Sequence, residues 1–269
     1  MNIAIITLTE QGLITAQRIK KSLKHSSSIY IPEKAIEEIC ISESDVSTQI
    51  SRFSVTLHQL VSEIFGQFDG LVFVMAIGIV MRVIAPNIKD KHSDPAVVAV
   101  DDVGRYVISV LSGHEGGANK LAHYVAATLC TDAVITTGTE AKKDIIIGIG
   151  CKKGISSEAI KNSIKDALQN INISIERVRL LSTVDIKSEE PGLLQTSEEL
   201  DIPLRVVSRS EIAACTKEFN KSDFVKEKIG VWGVCEPTAI IAGRKTKLIL
   251  TKQKYAGVTI AVAQENFMW

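Results

Sequence analysis

The residues best suited to chemistry lie in one short stretch, Ser112-Gly113-His114-Glu115-Gly116-Gly117-Ala118-Asn119. Its three glycines permit positive φ and leave backbone N–H groups exposed. A helical pattern follows directly, so the unpaired donors and the positive end of that helix point back at the loop. Such a turn binds anions, including the oxyanion of a hydrolytic intermediate, and His114 adds an imidazole, which exchanges protons near neutral pH. The stretch therefore predicts a site for a carboxylate or an oxyanion beside a proton shuttle.

A simpler interpretation of the same stretch also stands. A glycine-rich turn after a strand is often only a tight connection, with its histidine hydrogen-bonded to the loop. Other motifs are excluded by the sequence. A zincin helix would need a second histidine at position 118, which is Ala118, and there is neither a Gly-x-Ser-x-Gly elbow nor a P-loop Lys-Ser/Thr.

Two periodic segments flank the stretch and must position it. Tyr106–Leu111 is apolar and β-branched, which predicts a strand that ends at the loop. Apolar residues spaced i, i+4, i+8 from Leu121 predict a helix over residues 117–130 that begins there. His123 lies opposite the apolar stripe of this helix and is predicted to be exposed, as is His58 on an earlier amphipathic helix.

The apolar run Leu71–Ala76 predicts a central strand buried on both faces of a parallel sheet, followed by a short helix that begins at Gly78. Ligands of open α/β sheets collect beyond the carboxyl ends of strands, so Gly78 and Arg82 are candidate pocket residues. A surface charge is an equally good interpretation of Arg82. The polar loop that follows carries Lys89 and Lys91, and either solvation or binding explains such a charged loop.

Asp101 and Asp102 lie between two β-branched runs, which predict a hairpin with these aspartates in its turn. Aspartate is favoured in turns for its hydrogen bonds to the backbone, which is one explanation of the pair. If the hairpin folds toward the loop of His114, one of these carboxylates orients or polarises the imidazole. Both aspartates are therefore candidate catalytic residues together with His114.

The chain alternates strand and helix patterns, which predicts an α/β fold of two domains, each a mainly parallel or mixed sheet flanked by helices. Further predicted elements of the first half are strands at 3–8, 29–31 and 133–137, helices at 12–23 and 56–68, and a polar loop at 42–51. The polar segment 138–144 lies between two apolar strands and is the predicted boundary. It gives one domain at 1–140 and another at 141–269.

The second half begins with a strand at 145–147 and a glycine-rich turn at 148–154, then a helix. This repeats the earlier pattern, so Gly148, Gly150 and Lys152 are candidate anion-binding residues. The turn is a poor dinucleotide fingerprint, because its last glycine lies one residue too far and no ribose-binding acid follows. Cys151 is interpreted as a structural thiol, since no base lies near it in sequence.

The remaining elements of the second half are predicted from the same periodicities. They are strands at 178–186 and 204–207, helices that begin near 190, 208, 222 and 235, and a closing hairpin. The hairpin joins 247–251 to 258–263 across a loop at 252–257 that contains Lys254.

Composition limits the class of protein. Apolar residues make up 45% and charged residues 23%, as in ordinary soluble domains. Lys+Arg and Asp+Glu balance at 31 each, which argues against broad nucleic-acid binding. Five cysteines are scattered and odd in number, which indicates reduced thiols and a cytoplasmic protein. No apolar run reaches the length of a bilayer span and the amino terminus has no signal pattern, so no membrane partner is expected.

Several motifs together resemble one known family. In the first half they are Met-Ala-Ile-Gly-Ile-Val-Met-Arg at 75–82, Lys-Asp-Lys-His-Ser-Asp-Pro-Ala-Val-Val at 89–98, the stretch at 112–119, and Thr-Thr-Gly-Thr at 136–139. In the second half they are the segments 148–154, 189–193, 233–237, 252–254 and 258–259. The two sets resemble the amino-terminal and carboxy-terminal domains of CbiG, a cobalamin biosynthesis family of the anaerobic corrin pathway.

The resemblance implies hydrolysis of cobalt-precorrin-5A. Water opens a δ-lactone, and the extruded carbon with its methyl group leaves as acetaldehyde to give cobalt-precorrin-5B. His114 would activate the water and later deprotonate the freed hydroxyl, while Gly113, Gly116 and Gly117 would offer N–H donors, with Ser112 and Asn119 as positioning groups. The carboxylate arms of the macrocycle would meet the glycine turns and the cationic side chains, namely Arg82, Lys89, Lys91, Lys152 and Lys254.

The resemblance also implies the partners and leaves alternatives. The expected partners are a small tetrapyrrole substrate, other corrin-pathway enzymes and a second copy of the chain as a homodimer. No cofactor or metal is expected to be held by the protein, because cobalt arrives with the substrate. Many members of the family carry a middle segment between the two domains that this chain lacks. A corrinoid carrier without catalysis is therefore the alternative function, and a nucleotide-binding enzyme is a weaker one.

Overall fold

The structure is a computed structural model that describes residues 1–23, 25–35 and 50–266. The chain divides into two compact units, Met1–Thr137 and Gly138–Trp269. Each unit has its own sheet with helices on both faces, so the predicted α/β class is confirmed.

The first unit contains a seven-stranded sheet within the described residues. Its strands are β1 Asn2–Thr7, β2 Ser26–Pro32, β3 Ile50–Phe53, β4 Gly70–Val74, β5 Ala96–Val100, β6 Tyr106–Leu111 and β7 Asp132–Val134. Its helices are α1 Glu10–Ser22, α2 Leu57–Ile64, α3 Ile77–Ile84 and α4 Ala118–Leu129. The strand order is β3-β2-β1-β4-β5-β6-β7, and the pairs are parallel except for the antiparallel hairpin of β5 with β6.

Alternation along the strands divides the apolar side chains between two cores. Ile3 and Ile5 face the layer of α1 and α4, whereas Ala4 and Ile6 face the layer of α2 and α3. The helices that follow β1 and β4 therefore pack on opposite faces of the sheet. The strand order reverses between these two neighbouring strands, which is the switch point where ligands of open α/β sheets bind. We call the side where β1 to β5 end the carboxyl edge, and the side where they begin the amino edge.

The second unit contains a five-stranded sheet in the order β10-β9-β8-β12-β11. Its strands are β8 Ile145–Cys151, β9 Val178–Val184, β10 Leu204–Val207, β11 Thr246–Tyr255 and β12 Val258–Glu265. Its helices are α5 Ser157–Gln169, α6 Pro191–Leu200, α7 Arg209–Ala214, α8 Asp223–Ile229 and α9 Cys235–Ile241. The sheet is mixed, because β8, β9 and β10 are parallel and β12 is antiparallel to both of its neighbours.

The glycine-rich turn predicted at 148–154 in the second unit is wrong for its first residues, which belong to β8. Gly148 and Gly150 lie inside β8 and do not form a turn, because Gly148 is paired with both β9 and β12 and Gly150 is paired with β12. A Cβ atom on Gly148 would lie 1.8 Å from the carbonyl oxygen of Cys235. The glycine is needed because the start of α9 packs directly on the strand, and the backbone amides of this sequence are used by the sheet rather than left for an anion.

Four smaller predictions differ from the structure. The strand predicted at 133–137 is only Asp132–Val134. β11 continues through the predicted loop to Tyr255, and the turn is only Ala256–Gly257. His123 is half-buried rather than exposed, whereas His58 is exposed as predicted. Of the loop predicted at 42–51, residues 42–49 lie outside the described residues and the last two belong to β3.

Candidate active site

Two loops meet at the amino edge of the first sheet. One is Ile88–Pro95, which leads into β5, and the other is Ser112–Gly117, which connects β6 to α4. The carboxylate of Asp94 is buried, with 6% of the residue exposed, and it accepts two hydrogen bonds from the backbone N–H of Lys89, at 3.1 and 2.9 Å. Asp94 thereby closes the first loop on itself and fixes its path beside the second.

The second loop is compact because the backbone at Ser112 and the missing side chain at Gly116 let its two ends come close together. Ser112 has a positive φ of 56°, and a Cβ on Gly116 would lie 2.4 Å from the Cβ of Ser112 and 3.2 Å from the carbonyl oxygen of Asp94. Only glycine at position 116 lets the two loops touch. The Ser112 side chain is buried, and its Oγ has no hydrogen-bond partner among the described residues.

Two backbone N–H groups at the start of α4 that the sequence predicts to be unpaired already donate hydrogen bonds within the protein. The N–H of Ala118 donates to the carbonyl of Ser112 at 3.1 Å, and the N–H of Asn119 donates to that of Gly113 at 2.9 Å. The prediction of bare donors is wrong for these two groups, because the loop folds back to cap its own helix. Gly117 takes the N-cap position with φ of 84°.

Asn119 has a structural explanation. Its side-chain oxygen accepts a hydrogen bond from the hydroxyl of Ser109 at 2.8 Å, and its amide donates to the hydroxyl of Thr137 at 3.1 Å. Asn119 thus ties β6 to the end of the unit. The oxygen and the nitrogen of the side-chain amide both have partners within the protein. The role of Asn119 in positioning a substrate therefore stays a prediction that these contacts do not support.

Glu115 joins the two loops through its carboxylate. Its Oε1 lies 3.3 Å from the ammonium of Lys91, and its Oε2 lies 2.6 Å from Nδ1 of His92. The pair with Lys91 is exposed and contributes little stability. The contact with His92 is also exposed, but it has a chemical consequence, because a carboxylate on Nδ1 favours one orientation of the ring and leaves Nε2 as the proton acceptor. His114, one residue before Glu115, is exposed at the same place.

Asp101 and Asp102 do not belong to this cluster. They lie in the turn of the β5–β6 hairpin at the carboxyl edge, while His114 follows the far end of β6. The six residues of β6 span about 20 Å at roughly 3.4 Å per residue. The prediction that one aspartate orients His114 is wrong, because an antiparallel hairpin places its turn at the opposite edge from the end of its second strand.

Both aspartates have partners at the carboxyl edge. The carboxylate of Asp102 accepts a hydrogen bond from the Thr9 hydroxyl at 3.1 Å, at the start of α1. The carboxylate of Asp101 accepts from the N–H of Tyr106 at 2.8 Å and from Arg105 at 2.9 Å. Partial burial alone would raise the pKa of Asp101, but these hydrogen bonds hold it below its usual value. The pair shapes the turn, which is the alternative explanation from the sequence.

The other predicted residues of the first unit fall into two groups. Lys89 and Lys91 lie on the loop that meets the stretch of His114. Gly78 lies at the carboxyl edge, in the first turn of α3, and Arg82 lies further along the same helix. Both are exposed on the surface.

In the second unit, Lys152 and Lys254 lie at one edge of the sheet. The N–H of Lys152 donates to the carbonyl of Gly257 at 2.9 Å, and Lys254 pairs with Thr259 in the β11–β12 ladder. Cys151, at the same edge, is partly buried, and burial raises the pKa of its thiol to about 11. The thiol is thus protonated at neutral pH, in agreement with a structural role.

A groove of about 450 Å³ lies between α5 and α6. Its charged lining consists of Lys161 and three glutamates, Glu158, Glu190 and Glu199. Lys161 is already paired with Glu199 at 2.8 Å and with Glu158 at 3.2 Å. The excess of carboxylates makes this groove a poor site for an anionic ligand.

The sequence did not reveal two features of the structure, the His92–Glu115 contact and the buried carboxylate of Glu236. It gave no role to His92 or Glu115, although both belong to the quoted motifs, and the signal available was a histidine and an acid in separate loops that flank the same hairpin. It also missed Glu236, a buried carboxylate that accepts hydrogen bonds from Asn220 at 2.6 and 2.8 Å and from the N–H of Lys252 at 2.8 Å.

The described residues hold no group of three or more His, Cys, Asp or Glu side chains placed to bind a metal ion. In the same residues, none of the helices has the length and apolar character needed to cross a membrane.

Fold and site together define a two-unit α/β protein whose first unit brings two loops together around a histidine–carboxylate pair. Family models give the more specific assignment: "Cobalamin synthesis G N-terminal" matches residues 59–140 and "Cobalamin synthesis G C-terminus" matches residues 145–263. The two matches cover about three quarters of the chain, in order. The chain belongs to the CbiG family.

Individual relatives agree with this assignment. A cobalt-precorrin-5A hydrolase of Priestia megaterium is 26% identical, with 97% of this chain and 94% of the relative covered. That alignment extends over 360 positions, more than the 269 residues here, so the relative has residues without a counterpart in this chain. A cobalt-precorrin-5A hydrolase of Salmonella typhimurium is 40% identical over 142 residues, 53% of this chain and 37% of the relative.

A solved structure of a cobalamin biosynthesis protein G homolog from Sulfolobus solfataricus also matches. It is 24% identical, with 98% of this chain and 97% of that chain covered and a TM-score of 0.38.

Proposed function

We propose that this chain is a cobalt-precorrin-5A hydrolase of cobalamin biosynthesis. The observation that carries the proposal is the presence of both halves of the family in one chain, in order, with only residues 141–144 between the two matched regions. The relative from Priestia megaterium, which bears this name, aligns with almost the whole chain.

The proposed reaction has two parts. Water adds to the carbonyl carbon of the substrate's δ-lactone, and the ring C–O bond breaks to give a carboxylate and a free hydroxyl. Loss of the hydroxyl proton then drives cleavage of the adjacent C–C bond. The carbon that bears the hydroxyl and the methyl group leaves as acetaldehyde, and the macrocycle takes up a proton. Cobalt enters and leaves with the macrocycle, and the protein holds no cofactor.

Both parts need a proton acceptor, and the amino edge offers an oriented one. With Nδ1 of His92 held by Glu115, Nε2 is positioned to take the proton from water in the first part and from the hydroxyl in the second. The exposed His114 is a second proton carrier on the adjoining loop. Lys91 and Lys89 supply positive charge for the carboxylate that the reaction creates.

The test is an anaerobic incubation of the purified protein with cobalt-precorrin-5A, with acetaldehyde and corrinoid mass followed together. Stoichiometric acetaldehyde with the matching loss of mass supports the hydrolase. If the corrinoid co-elutes with the protein at unchanged mass and acetaldehyde stays at background, the hydrolase proposal fails and a carrier replaces it. Stabilisation by nucleotides with no corrinoid binding would reject both.

A further inference from the structure

Six of the eight residues of helix α3 are large and apolar, and they are not confined to its buried side. Val80, Val83 and Ile84 are buried in the core of the first unit. On its other side Ile77 is 43% exposed and Met81 is 47% exposed, and Ile88 just beyond the helix is 40% exposed. Isolated exposed apolar side chains are common, but several on one short helix, with Ile79 also 36% exposed, form a patch of the kind that normally meets another surface. This stripe of Ile77, Met81 and Ile88 therefore indicates an occupant.

Gly78 stands in the first turn of α3 beside this stripe. Glycine weakens a helix relative to alanine, so a helical glycine needs a reason. Here a Cβ would meet no atom within 4 Å, and the backbone has no positive φ that requires glycine. Neither the packing nor the conformation of the unit explains Gly78. A surface that approaches the backbone from outside does explain it.

The residues around the stripe carry only positive charge, which indicates an occupant with negatively charged groups. Residues 75–89 contain Arg82 and Lys89 and no acidic residue. Arg82 follows Met81 on the exposed side of the helix, with its guanidinium available for a planar carboxylate. The surface is thus apolar along its length and cationic at its side. A flat apolar body with carboxylates at its rim is complementary to it.

The position of α3 links the stripe to both edges of the sheet. The helix begins at the carboxyl end of β4, one of the two strands at the switch point. Its eight residues extend about 12 Å toward the amino edge at roughly 1.5 Å per residue. There Ile88 ends the stripe and starts the loop of His92. A ligand that lies along α3 therefore reaches the proposed proton acceptor.

We infer that this face of α3, formed by Ile77, Gly78, Met81, Arg82 and Ile88, binds one face of the substrate macrocycle, with Arg82 on a carboxylate arm. The inference rests on the proposed function, because it takes the macrocycle from it. In the inferred complex the substrate lies along α3, with its reacting side at the amino edge.

The test measures corrin binding apart from turnover. The probe is dicyanocobyrinic acid, a stable corrin polycarboxylate, titrated into the full-length protein by calorimetry. Met81→Ser and Arg82→Gln are expected to raise Kd about tenfold each. The matched control is Ile14→Ser, which changes an isoleucine that is 49% exposed on α1, at the opposite face of the sheet, and is expected to leave Kd unchanged.

Gly78→Ala separates binding from folding. Alanine stabilises the helix, so the melting temperature is expected to rise slightly while Kd increases about tenfold. A Kd equal to that of the wild type for all three α3 variants overturns the inference. Loss of self-association in these variants, with corrin binding unchanged, also overturns it and assigns the stripe to a second copy of the chain.

The two proposals fail in different ways. A protein that binds the corrin on α3 but releases no acetaldehyde from cobalt-precorrin-5A removes the hydrolase and leaves the binding face. A protein that turns over the substrate while Met81→Ser and Arg82→Gln keep the wild-type Kd and KM removes the binding face and leaves the hydrolase.

Discussion

Glu115 Oε2 lies 2.6 Å from Nδ1 of His92, although the two residues are on separate loops. The β5–β6 hairpin brings these loops to one edge of the sheet, and the close approach at Gly116 lets them touch. The result is a histidine whose ring contacts a carboxylate, with a second, exposed histidine on the adjoining loop. This contact is the basis of the proposed mechanism.

Replacement of His92 by glutamine is expected to lower kcat by about 10²–10⁴, the usual contribution of a general base. Glu115→Gln keeps a hydrogen-bonding side chain but loses the charge that orients the ring, so a smaller loss of about tenfold or more is expected. Steady-state release of acetaldehyde measures both. His58→Gln, at an exposed position on α2, is the matched control and should retain the wild-type rate. Wild-type kcat in His92→Gln would reject the assignment of the base.

Asp101→Asn is expected to affect stability rather than catalysis. The carboxylate accepts hydrogen bonds from Arg105 and from the N–H of Tyr106, and its loss should cost about 1–3 kcal/mol in the free energy of unfolding. Urea unfolding measures this cost, and kcat should stay within about twofold of the wild type. A large loss of kcat in a protein of normal stability would return Asp101 to the catalytic group.

Gly148→Ala should strongly destabilise the second unit. The new methyl group would meet the carbonyl of Cys235 at 1.8 Å, a contact that the buried strand and helix cannot relieve without moving apart. We expect a loss of about 3 kcal/mol or more, in the range of severe overpacking. Gly66→Ala is the control, because a Cβ there meets no atom within 4 Å. Thermal unfolding of both variants decides whether Gly148 is a packing glycine, and equal melting temperatures would contradict that role.

Asp144→Asn should reduce stability in a pH-dependent way. Asp144 is paired with Arg177 at 2.6 Å and accepts a hydrogen bond from Gln264 at 2.7 Å, which ties the start of β8 to β12. Partial burial opposes ionisation, yet these partners hold the pKa of the carboxyl below its usual value. A lowered folded-state pKa stabilises the fold above the unfolded value, near 3.9 for aspartate, and this stabilisation is lost as the pH falls through the folded-state pKa.

The difference between wild type and Asp144→Asn should therefore be largest near pH 7, at about 1–3 kcal/mol. It should shrink as the pH is lowered below about 4. Denaturant unfolding at a series of pH values measures it. A difference that stays constant with pH would mean that the charge of Asp144 does not stabilise the unit.

Local patterns predicted most of the fold. The buried run that becomes β4, the hairpin of β5 and β6 and the helix from Ala118 all follow from periodicity. The role of a glycine could not be predicted in the same way, because a glycine in a turn and a glycine that another element packs against look alike in the sequence. Gly148 and Gly150 come after an apolar strand pattern, where the glycine turn of a nucleotide site would also lie. In the structure they belong to the strand β8 and leave room for the start of α9.

The candidate site was predicted only in part. The loop of His114 was located, but its contacts depend on which loops meet in three dimensions, and His92 lies 23 residues from Glu115 in the chain. The separation of Asp101 and Asp102 from His114 follows from the hairpin itself. A hairpin fixes its turn and the end of its second strand at opposite edges, so the aspartates belong with α1 and Thr9 rather than with His114.

The most direct test of the central claim is a single turnover of cobalt-precorrin-5A in water enriched in oxygen-18, with the mass of the corrin product measured. Hydrolysis of the lactone places one oxygen-18 atom in the new carboxylate of the macrocycle. The proposed hydrolysis predicts a corrin product heavier by that one label, with acetaldehyde formed in equal amount. A corrin that keeps its starting mass, or a product without the label, would contradict it.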